Sequence, residues 1–123
     1  MERVPIEGVT VAPFVIPTDS PESDGTATWD RTTMVLVEIA AGACVGLGYT
    51  YADRATAVCV DEVLCELLVD ANALDIPRAH VAMARASRNH GVARVACDLL
   101  DRALRNGAIA RDRRDRASCA HSR

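Results

Sequence analysis

Apolar residues along this chain gather first in short runs bounded by turn residues and then recur at every third or fourth position, and the changeover falls near Asp53. Val9 to Ile16 (VTVAPFVI) is rich in β-branched residues between Gly8 and Pro17, which predicts a strand with Pro13 at an edge or a bulge. Pro17 to Asp30 (PTDSPESDGTATWD) collects Pro, Asp, Ser, Thr and Gly and predicts a long loop. Thr32 to Ala40 (TTMVLVEIA) predicts the clearest strand. Ala41-Gly42-Ala43 is its turn, and Cys44 to Tyr51 (CVGLGYTY) its hairpin partner. Gly46 and Gly48 fall on one face of that partner, where bare backbone implies a bulky neighbour lying close. One of Tyr49 and Tyr51 is expected in the core.

Beyond Asp53, a plausible N-cap, Ala57, Val60, Leu64, Leu67 and Leu68 repeat at helical spacing, with Asp61, Glu62 and Glu66 on the wet side. Asp75 and Pro77 open a second helix lined by Ile76, Ala79, Met83 and Ala86, ending near Asn89-His90-Gly91. Val92 to Leu104 forms a third, apolar at Val95, Ala96, Leu99, Leu100, Ala103 and Leu104. Strands followed by helices predict an α+β domain, a three-stranded antiparallel meander packed on about three helices. After Gly107 the periodicity stops. GAIARDRRDRASCAHSR has one large aliphatic residue and is expected to be disordered. The boundary is therefore set at 1–106 for the domain and 107–123 for a tail. The tail's Arg, Ala, Ser, Cys and His usage fits an out-of-frame reading of a GC-rich gene.

Composition narrows the chemistry. The 123 residues suit one domain, and the formal charge is −3, unfavourable for a nucleic-acid binder that works by neutralising phosphates. All 14 basic residues are arginine, so Schiff-base, lysine general-base and phosphate-loop lysine chemistry have no residue to carry them. Up to Asn106 there are 15 acids and 9 arginines, and beyond it 2 acids and 5 arginines. The Arg-Asp run from Arg111 to Arg116 interleaves its charges and lacks aromatics, unlike a single-strand binding groove. The five cysteines (Cys44, Cys59, Cys65, Cys97 and Cys119) are odd in number and form no C-x-x-C pair, as expected of free thiols in a reducing cytoplasm. The start lacks an apolar signal region, and no stretch is long enough for a membrane span. His80 and His90 stand ten apart, not at metal-ligand spacing, and read as surface or capping residues. Asp98 and Asp101 alternate with Arg94, Arg102 and Arg105, as in exposed ion pairing.

The order of these motifs resembles the N-terminal capping domain of the enolase superfamily, in its mandelate racemase and muconate lactonizing branch. The likeness runs from Ile6 to Leu104. It rests on the first strand with its polar loop, the hairpin MVLVEIAAGACVGLGYTY, Asp75-Ile76-Pro77 opening a helix, and Gly91-Val92-Ala93 followed by Asp101-x-Ala103-Leu104. That family's last helix ends Ala-Leu-Trp-Asp, where this chain has Arg105-Asn106, and a barrel then follows that is not present here.

The resemblance implies that magnesium, its carboxylate ligands and the lysine or histidine bases all belong to the barrel of a parent isomerase or lyase. Proton abstraction next to a carboxylate would happen there. This chain would hold no cofactor, metal or catalytic residue of its own and would be inactive alone. Its role would be a specificity lid, with Thr18, Asp19 and Trp29 on the first loop and Tyr51 near the second. Trp29 could equally pack the loop base onto the sheet, and Asp19 could be a plain turn residue. The expected partner is a barrel, or a second copy, rather than nucleic acid or membrane. The alternative is a free-standing interaction or dimerisation module. A small enzyme in its own right would need a nucleophile–base pair, a metal cluster or a phosphate loop, none of which the sequence offers.

Overall fold

The computed structural model describes residues 2–89 and 91–121. Three strands, β1 (Ile6–Ser23), β2 (Thr28–Ala41) and β3 (Cys44–Tyr51), form an antiparallel meander in the order β1-β2-β3. Side chains alternate across a strand, so Val35, Val37 and Ile39 of β2 all turn inward and are buried. In register with them lie Val9, Val11 and Pro13 on β1, and Gly46, Gly48 and Thr50 on β3. The β2–β3 connection has two residues, Gly42 and Ala43, both at positive φ (55° and 63°). That is the turn whose twist suits a right-handed hairpin.

The helices cover the inner face. Arg54 to Leu68 is one continuous run, α1 (Arg54–Cys59), a wider π segment (Val60–Leu64) and α2 (Cys65–Leu68), and it turns Val60, Leu64 and Leu68 inward. α3 (Ile76–Ala86) starts where expected. Asp75 caps it by accepting from the Arg78 amide at 3.3 Å, with proline in the first turn. α4 (Ala93–His121) adds Ala96, Leu99, Leu100 and Ala103 to the core. The α+β class and the meander on a helical layer are thus as the sequence implied. Near the N-terminus the chain is stitched to the α2–α3 connection. Ile6 donates to Ala71 O and accepts from the Asp70 amide, and the Ala73 amide donates to Val4 O.

Three expectations need correction. First, residues 17–30 are not a loop. β1 and β2 run on as a ribbon that closes in a short turn at Asp24–Ala27. A ribbon wet on both sides shows no periodic burial, and Pro13, Pro17 and Pro21 are tolerated because β1 is an edge strand. Second, Tyr49 and Tyr51 lie two apart, hence on the same side of β3, and both are exposed.

Third, α4 continues through residues 107–121, where no ordered element was expected. Alanine and arginine are strong helix formers and need no burial to extend an existing helix. Arg111 also pairs with Glu2 at 2.6 Å, Arg114 donates to Gly42 O at 2.8 Å, and Arg116 pairs with Asp112 at 3.0 Å. Residues 122–123 lie outside the described residues, as does His90. Residues 112–121 are nevertheless all exposed. Removing 112–121 is therefore expected to change unfolding free energy by less than about 1 kcal/mol, because exposed ion pairs add little. Urea titration of the two chains checks this, and a loss above roughly 2 kcal/mol would mean that the extension is packed.

Candidate functional site

The ribbon beyond the helical layer carries three of the four residues singled out as a lid. Between the pairs Pro17↔Arg31 and Glu22↔Trp29 the register shifts, so residues 18–21 of β1 bulge opposite Asp30 alone. Thr18 and Asp19 sit in that bulge. The Thr18 hydroxyl oxygen is buried without a hydrogen-bond partner among the described residues, whereas Asp19 is exposed. Trp29 lies opposite Glu22, and its indole N–H donates to Glu22 Oε2 at 3.1 Å. It pins the two strands together while staying 37% exposed. Tyr51 stands apart at the end of β3, opposite Met34 and 65% exposed. The structure thus unites Thr18, Asp19 and Trp29 on one arm and sets Tyr51 near its root.

Sequence reasoning missed how the tip of the arm is built. Asp24 Oδ1 accepts from the Thr26 hydroxyl (2.6 Å), the Thr26 amide (2.9 Å) and the Ala27 amide (3.0 Å). The Thr26 side chain, then the two amides, hold the Asp24 carboxyl down at about 2 against an ordinary 3.8. A carboxyl depressed on folding stabilises the fold fully above its unfolded value, and that contribution is lost as pH falls through the folded one. The turn is therefore expected to hold at pH 4 and to loosen only toward pH 2, and the Asp24 carboxyl carbon should titrate near 2 by NMR. A midpoint at the ordinary value would mean the turn is not formed in solution. Asp-x-Thr before a hairpin return is the signal that could have found it. The arm also carries Asp19, Glu22 and Asp30, so its end is acidic.

A polar cleft elsewhere is lined by His80, Ala84, Ser87, Arg94, Cys97 and Asp98. His80 Nδ1 lies 2.6 Å from Asp101 Oδ2 and ties α3 to α4, so Asp101 pairs with a histidine rather than with the flanking arginines. Burial, with the charge of Asp101 also contributing, pushes the Cys97 thiol up against the opposing effect of its hydrogen bond with Ser87. A thiol held protonated is a weak nucleophile. Among the described residues no group of three or more His, Cys, Asp or Glu side chains is placed to hold a metal ion. No described helix is long and apolar enough to cross a membrane.

This architecture is that of a piece of the mandelate racemase/muconate lactonizing enzymes of the enolase superfamily, and the chain spans about 30% of the length of the solved structures it matches. Such coverage is consistent with an N-terminal fragment. One relative is a mandelate racemase/muconate lactonizing enzyme-like protein from Rubrobacter xylanophilus. It is 41% identical with a TM-score of 0.77, over 81% of this chain and 29% of that one. Another is a racemase from Streptomyces coelicolor A3(2) with bound magnesium, 29% identical with a TM-score of 0.77, over 80% of this chain and 30% of that one. The L-talarate/galactarate dehydratase from Salmonella typhimurium LT2 shares the fold alone, at 21% identity and a TM-score of 0.80, over 89% of this chain and 31% of that one. No family model matches the chain, and neither does any curated protein.

Proposed function

We propose that this chain is the substrate-capping portion of a magnesium-dependent enzyme that removes a proton next to a carboxylate, and that it is inactive by itself. The observation that carries this reading is the arm. It leaves the core as a two-stranded ribbon with Thr18, Asp19 and Trp29 on it, and an isolated ribbon is only marginally stable in water. A ribbon of that kind gains by closing over another surface. There it can supply contacts and exclude water without making or breaking bonds. The magnesium ligands and bases belong, in this reading, to the remaining two-thirds of such an enzyme. The setting is cytoplasmic, in keeping with the free thiols of Cys44, Cys59, Cys65 and Cys97.

The test has two arms. Purified chain with magnesium and a panel of 2-hydroxy and sugar acids in D2O should show no loss of the α-proton signal by NMR. Exchange catalysed by the chain would overturn its inactivity. Next, the segment of the Rubrobacter relative matched here is replaced by residues 2–106, and the same relative's barrel portion is mixed with the intact chain. A cooperatively folded chimaera or a complex on size-exclusion chromatography is expected. An unfolded chimaera together with a chain that stays monomeric beside a folded barrel would remove the capping reading.

A second reading, a self-associating module, is favoured by the outer sheet face. Phe14, Val45, Leu47, Tyr49 and Tyr51 are exposed there. It differs in expecting a dimer with no barrel present.

A further inference from the structure

We draw no further inference here: the strongest candidate, the exposed apolar outer face of the sheet around Phe14, Leu47 and Tyr49, carries nothing further because nothing in the structure shows what covers it.

Discussion

Gly46→Val is expected to destabilise the chain by about 3 kcal/mol or more, the upper end of what overpacking costs. α4 crosses β3 at this point with backbone against backbone. A Cβ on Gly46 would overlap the Ala103 carbonyl oxygen and stand 2.8 Å from the Gly107 amide nitrogen. Neither atom belongs to a flexible side chain, so relief requires lifting the helix off the strand. That would pull Leu99, Leu100 and Ala103 away from Val35, Val37 and Ile39, all of them buried. Gly48 faces the same helix, with the Leu99 carbonyl oxygen 2.8 Å from where its Cβ would be. Gly8 is the control, because a Cβ there meets nothing within 4 Å and its backbone needs no left-handed conformation. Gly8→Ala should therefore stay within about 1 kcal/mol of the parent. Urea midpoints of the three chains decide the matter. A Gly46→Val chain as stable as the parent would show that α4 does not cross β3 here in solution.

The same contact shows what a sequence can disclose. Two glycines two apart in a strand announce a close approach, although not which element makes it. The backbone of α4 answers that. β2 was legible because Thr32 to Ala40 is a run of β-branched and aliphatic residues, and Asp75-Ile76-Pro77 because a cap and a proline act locally. Legibility failed where burial does not drive the structure. The arm from Pro17 to Arg31 and the helix beyond Leu104 are regular but mostly wet, so their side chains carry no period to read. The widening of the helix at Val60–Leu64 leaves no trace in composition. Thr18, Asp19 and Trp29, expected together on one loop, lie instead on a bulged ribbon. The turn at Asp24 that closes it went unnoticed, because its Asp-x-Thr signal lies inside a polar run that reads as loop.

Leu100→Ala and Leu47→Ala, measured side by side, should separate the inside of this molecule from its exposed outer sheet face. Leu100 is fully buried beneath the sheet, and deleting its branched end leaves a cavity that costs about 2–5 kcal/mol at any protein concentration. Leu47 lies on the outer face, 44% exposed, and its truncation in a monomer should cost under about 1 kcal/mol. If a second copy covers that face, Leu47→Ala instead weakens association, and its effect on the melting temperature grows with concentration. Thermal melts across a hundredfold dilution, paired with sedimentation, distinguish these outcomes. A concentration-independent loss for Leu47→Ala as large as that for Leu100→Ala would place the outer face within the monomer's own core. The sheet would then have no free side, and the exposed face on which the self-associating reading rests would not exist.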